Sequence, residues 1–216
     1  MSLAKAMKAH FISSRMDARY EVESHSDEPV WQLVLTAVLA TQVKFTNVDK
    51  IRGELFKGKT LEDLANSSFD DIYPFVKHIR FGKVKTKRFL ACAKKMLADC
   101  NGNVPNDVEY LQSLPGIGRK NAAVIQSMHF NTPSIAVDTH VIRICNRLGI
   151  SQGRNPVKVE EDMKNYFDRS CWSRIHQQFM YFGQDICRAR NPKCDQCPLA
   201  NACVSHLNGK SLTCGE

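Results

Sequence analysis

Leu114-Pro115-Gly116-Ile117-Gly118-Arg119-Lys120-Asn121-Ala122-Ala123 reads as a tight turn with a helix on either side. Asp107 to Ser113 upstream and Arg119 to Phe130 downstream both carry helical periodicity, and Pro-Gly-x-Gly between them breaks it. Gly116 and Gly118 remove the side-chain barrier to unusual φ values and to close approach by another backbone. If the turn's amides and the N-terminus of the next helix face outward, they can hold a phosphate without reading bases. A bare Pro-Gly-x-Gly serves equally well as a plain helix connection, so the rest of the chain has to decide.

Working outward, almost every segment is helical in period, and no pair of strands joined by a hairpin turn stands out, so the fold class is all-α. A first basic helix runs from about Leu3 to Arg19. Polar Ser24-His25-Ser26-Asp27-Glu28 and Pro29 then open a helix that is apolar nearly all round from Trp31 to Ala40, as a central core helix is. Shorter helices follow near Val48 to Phe56, near Leu61 to Asn66 behind a Thr60 cap with Asp63 three residues on, and near Phe69 to Lys77 behind Ser67. Lys83 to Cys100 has Phe89, Leu90, Ala93, Met96 and Leu97 on one face and lysines on the rest, and Asn101-Gly102 ends it. The last helices span Thr139 to Leu148, Pro156 to Asp168 and Trp172 to Ile186.

With 216 residues, 43% of them hydrophobic and 24% charged, and only 11 glycines and 8 prolines, the composition excludes a disordered or collagenous chain. Thirty Lys and Arg against 22 Asp and Glu give a formal charge of +8, so the molecular field attracts polyanions, nucleic acid first among them. No apolar run is long enough to cross a bilayer, and Met1 to Lys8 lacks the apolar core of a signal peptide. A reducing, cytoplasmic setting is expected, and the nine cysteines are then not a disulfide framework. Cys92, Cys100, Cys145, Cys171 and Cys214 are scattered, whereas Cys187, Cys194, Cys197 and Cys203 are separated by six, two and five residues and can converge on one metal centre. That spacing by itself leaves zinc and iron–sulfur both open.

The hairpin stretch, followed by Val137-Asp138-Thr139-His140-Val141-Ile142-Arg143 and then by this cysteine spacing, resembles the endonuclease III family of helix-hairpin-helix DNA glycosylases over about Trp31 to Leu207. The resemblance implies two helical domains flanking a DNA-binding cleft. Residues 27–131 would form the bundle that carries the hairpin, and residues 1–26 with 132–216 the cluster domain, with a [4Fe–4S] cluster on Cys187, Cys194, Cys197 and Cys203. It also implies that Lys120 is a nucleophile, that Asp138 is its electrostatic partner, and that the two face one another across the domain boundary. Gly116, Gly118 and Arg119 would grip the backbone. Gln42, in Ala40-Thr41-Gln42, would fill the gap left by an extruded nucleotide, and Phe81, in Ile79-Arg80-Phe81-Gly82, would be a second wedge. His140 resembles a pocket residue. Arg188, Arg190, Lys193 and Lys210 lie close enough in sequence to make the cluster loop a phosphate-binding surface.

The implied activity is excision of oxidised pyrimidines, or cleavage at abasic sites, in double-stranded DNA by a monomeric glycosylase with AP lyase activity, associated with the nucleoid. A monofunctional or differently selective glycosylase and a non-catalytic damaged-DNA-binding module are the alternatives. Three departures bear on the choice of base. Val43, Lys44 and Phe45 follow Gln42 where the family has small or hydroxylated residues and then Asp. The Arg80-Phe81-Gly82 order differs from the usual Gly-first loop, and Gln112 replaces a common Glu.

Overall fold

The computed structural model describes residues 2–22, 25, 27–43 and 45–209, and for Phe45 and Thr46 the backbone alone. Ser24, Ser26, Lys44, Lys210 and Cys214, which entered the sequence argument, lie outside the described residues. Among the described residues every regular element is helical. They are α1 Leu3–Asp17, α2 Val30–Ala40, α3 Phe45–Leu55, α4 Leu61–Asn66, α5 Phe69–Val76, α6 Gly82–Cys100, α7 Val108–Ser113, α8 Arg119–Met128, α9 Thr139–Leu148, α10 Pro156–Lys164, α11 Trp172–Asp185 and α12 Val204–Leu207. Single 3-10 turns lie at Arg169–Cys171, Cys194–Gln196 and Ala200–Ala202.

The chain forms two compact units, Ser24–Asn131 and, discontinuously, Met1–Glu23 with Thr132–Glu216. In the first, α2 is the central helix. Leu33, Val34, Leu35, Ala37, Val38 and Leu39 are all buried, which is why its sequence is apolar on every side. α6 lies against α2, α4 and α5 and contributes Phe89, Ala93 and Met96 to the same core. In the second unit α9 and α11 pack together, and α1 lies on α11 with Ala9, Ile12 and Met16 inward.

Local signals place most helix ends. Thr60 accepts from Asp63 N while the Asp63 carboxylate accepts from Thr60 N, a reciprocal cap. Asn101, with φ 49°, and Gly102, with φ 82°, end α6 in the left-handed region. The structure corrects the sequence reading at several ends. Ser68, not Ser67, caps α5, because the Ser67 hydroxyl donates to Asp63 O at 2.8 Å and closes α4 instead. α3 begins at Phe45, earlier than the apolar residues suggest. α1 stops at Asp17, its end closed by Ala18 N donating back to Ser14 O. α10 stops at Lys164, because Asp168 accepts from Ser170 N and starts a separate turn.

Candidate active site and cluster loop

In the unit of Ser24–Asn131, α7, the turn and α8 form the hairpin. Asp107 caps α7 by accepting from Tyr110 N at 2.7 Å, and Ile117 N donates to Leu114 O at 3.0 Å across the turn. Leu114 and Ile117 are buried, and Ala122 and Ile125 anchor the inner face of α8. With the apolar residues drawn inward, Gly118, Arg119 and Lys120 are left exposed, Lys120 in the first turn of α8. Gly116 has φ 91°, and a Cβ there would lie 3.1 Å from Val38 Cγ1. Gly118 has extended backbone with nothing within 4 Å of the place a Cβ would take. Its neighbours leave room for a side chain, so nothing within the protein demands glycine there.

The two wedge candidates belong to this same unit. Gln42, just past the end of α2, has φ 57° and an exposed side chain. Phe81, just before α6, has φ 61°, and its ring is 55% exposed with the Arg80 guanidinium 4.8 Å from its centre. Non-glycine residues occupy this backbone region uncommonly, and sites where they do are frequently functional. Gly82 follows Phe81 because a Cβ at 82 would lie 2.5 Å from Val76 O, which accounts for the unusual order of the loop. Thr41, Phe81, Val84, Lys85 and Arg88 line a hollow of about 240 Å³ beside both loops. Gln112 is exposed and its amide donates to Val108 O at 3.3 Å within α7.

In the other unit, Asp138 is the N-cap of α9 and its Oδ1 accepts from Val141 N at 2.9 Å. That bond fixes one oxygen of a half-buried carboxylate. One turn into α9, Arg143 donates to His140 Nδ1 at 3.0 Å, Gly183 O at 3.0 Å and Cys187 O at 3.0 Å. His140 therefore receives a hydrogen bond on Nδ1 and carries its own proton on Nε2. It packs so closely on α11 that a Cβ on Gly183 would lie 2.8 Å from His140 Cβ.

Cys187, Cys194, Cys197 and Cys203 all line one small cavity together with Arg147, Leu148, Phe182 and Ile186. Burial pushes the Cys197 thiol up to about 11, with Cys187, Cys203 and Cys194 acting in the same direction, and Cys194 is raised for the same reasons. Four thiolates so placed are poorly hydrated and repel one another, and cationic iron relieves both penalties. A polynuclear cluster takes its cysteines at its several corners, and four thiols line this one cavity. The donor set fits [4Fe–4S].

Arg147 is nearly buried and donates to Cys187 Sγ at 3.3 Å, Arg188 O at 2.7 Å and Ala189 O at 3.2 Å, stapling the start of this loop to α9. Of the basic residues expected to face phosphates, Lys193 lies 3.3 Å from Asp185 Oδ1. Arg188 folds back onto the carbonyls of Gln184 and Asp185 at the end of α11, and Arg190 is exposed. Sequence reasoning did not single out Arg143, Arg147, Lys85 or Asn121. Each donates to backbone carbonyls forty or more positions away, and only Arg147's place in the last turn of α9 was a visible signal.

An exposed glycine turn between two helices and a cavity lined by four cysteines define a helical protein with the makings of an iron–sulfur site. Residues 35–169 match the model of the HhH-GPD superfamily base excision DNA repair proteins, and residues 187–203 that of the iron–sulfur binding domain of endonuclease III. The endonuclease III of Thermotoga maritima is 33% identical over 181 residues, covering 83% of this chain and 85% of its own. That of Bacillus subtilis is 35% identical over 175 residues and covers 80% of each chain. Among solved structures, a trapped endonuclease III–DNA covalent intermediate with an estranged adenine superposes with a TM-score of 0.86 at 28% identity, over 97% of this chain and all of that one. The chain belongs to the endonuclease III family of the HhH-GPD superfamily. It is a base-excision-repair DNA glycosylase with AP lyase activity, acts on DNA and carries a [4Fe–4S] cluster. No described helix is long and apolar enough to cross a membrane.

Proposed function

We propose that this enzyme excises oxidised pyrimidines from double-stranded DNA, and cleaves abasic sites, with Lys120 as nucleophile and Asp138 as its electrostatic partner. The observation that carries the reading is the exposure of Lys120 in the first turn of α8, directly after a hairpin whose apolar residues are buried and whose Gly118 leaves room for a phosphate backbone. The Lys120 amine attacks C1′ of the deoxyribose as the bond to the base breaks, and the base leaves with the bonding electrons. Asp138 stabilises the positive charge that develops on the sugar. Ring opening leaves a protonated Schiff base, which acidifies the C2′ proton. Its removal expels the 3′ phosphate by β-elimination, and water releases Lys120.

Gly116, Gly118 and Arg119 hold the backbone, Gln42 fills the gap left by the extruded nucleotide, Phe81 stacks on the exposed bases, and His140 borders the pocket. Cys187, Cys194, Cys197 and Cys203 hold the cluster. When bound, it supplies a cross-link that shapes the loop carrying Arg188, Arg190 and Lys193 toward phosphates. The protein works as a monomer on nucleoid DNA in the cytoplasm.

The test is borohydride trapping on duplex DNA with one abasic site, using cluster-loaded protein. The parent should give a covalent adduct, Lys120→Ala none, and Asp138→Asn a slower one. An adduct from Lys120→Ala as abundant as the parent's overturns the assignment. No adduct from a parent that still binds this DNA replaces it with a monofunctional glycosylase or a recognition module.

A further inference from the structure

An α-helix leaves its last four carbonyls without intrahelical partners. At the end of α2 three of these four have identifiable donors. Ala37 O accepts from Asn121 Nδ2 at 3.2 Å, Leu39 O from Lys85 Nζ at 2.7 Å, and Ala40 O from Val43 N at 3.2 Å. Lys85 Nζ also donates at 2.7 Å to Thr41 O, which already lies past the helix. One ammonium thus brackets the point where the chain leaves α2, and the next residue is Gln42 with its left-handed backbone.

Lys85 is only 4% exposed, and lysines are almost never buried unless paired. For packing alone, a methionine or leucine would fill the same space without desolvating a charge. A cation is favoured at the carbonyl end of a helix. Burial nevertheless holds the Lys85 ammonium down at about 8, so this position is maintained against a desolvation penalty. Asn121, the other side chain that donates to the end of α2, is the neighbour of Lys120 in α8.

We propose that Lys85 is a positioning residue for nucleotide extrusion: by holding the carbonyls of Leu39 and Thr41 it sets the direction in which Gln42 leaves α2. Through the Asn121 bond to Ala37, that direction is fixed relative to the helix that carries Lys120. This inference rests on the reading of Gln42 as the gap-filling residue.

The experiment measures single-turnover strand cleavage by holoenzyme on two abasic substrates. One is a fully paired duplex, and the other has mispairs flanking the abasic site, where the nucleotide is already unstacked and extrusion costs little. Lys85→Met should slow cleavage of the paired duplex about 10- to 100-fold, as a small misplacement of a working group does. On the mispaired substrate it should stay within about two-fold of the parent, and in a Gln42→Ala background it should add no more than about two-fold. Lys85→Arg, which restores the donors, should recover most of the loss. If Lys85→Met does not fold, Lys85→Gln carries the same comparison.

Equal loss on both substrates, or effects of Lys85→Met and Gln42→Ala that multiply, overturns the inference, because either marks Lys85 as support for the fold alone. A parent inactive on both substrates instead refutes the lyase reading, and a Gln42→Ala enzyme as fast as the parent on the paired duplex refutes the role given to Gln42.

Discussion

Gly116 and Gly118 stand two residues apart in one turn, and their surroundings would treat a side chain differently. At Gly116 the backbone is left-handed and Val38 lies against the missing side chain. Gly116→Ala should therefore lower stability by about 1–2 kcal/mol, the cost of a Cβ in that region, and depress the thermal midpoint. Gly118→Ala meets nothing inside the protein. It should leave the midpoint near the parent's while weakening binding to abasic duplex, a contrast that calorimetry and a binding titration read separately. Both glycines were visible in the sequence because a Pro-Gly-x-Gly turn is local. Lys85 and Asn121 were not, because their partners are main-chain carbonyls that only the fold brings near, and nothing in the flanking residues marks them.

Among the elements, helix starts were legible wherever one cap was available and ambiguous where two competed. Ser67 with Asp70 and Ser68 with Asp71 have the same spacing, and only the bond from Ser67 to Asp63 O decides between them. The junction of α1, α11 and the cluster loop had no such signature. There the Arg19 guanidinium holds the Asp185 carboxyl at about 2, assisted by Lys193 and Tyr20. A carboxylate whose folded value is lowered adds stability above the ordinary range near about 3.9 and loses it as the pH falls through that range toward the folded value. The parent should therefore lose stability between about pH 4 and pH 2 more steeply than Asp185→Asn, as urea midpoints taken across that interval would record. Lys193 is released by the same protonation, so its pairing with Asp185 belongs to the fold before it belongs to any ligand.

For the whole molecule, a formal charge of +8 and an exposed hairpin make association with DNA a matter of counterion release. The logarithm of the association constant should fall linearly with the logarithm of salt concentration. Arg119→Ala should reduce that slope by about 1, whereas Gly116→Ala, which changes no charge, should leave it alone. The division of the chain into Ser24–Asn131 and the two segments around it has a consequence of a different kind. On the ribosome, α1 emerges early with Ala9, Ile12 and Met16 still lacking the α9 and α11 core they join, while all of Ser24–Asn131 is synthesised ahead of those partners. At about 5–20 residues per second that wait is on the order of ten seconds, long enough for the contiguous unit to fold first while the apolar face of a basic helix stays uncovered.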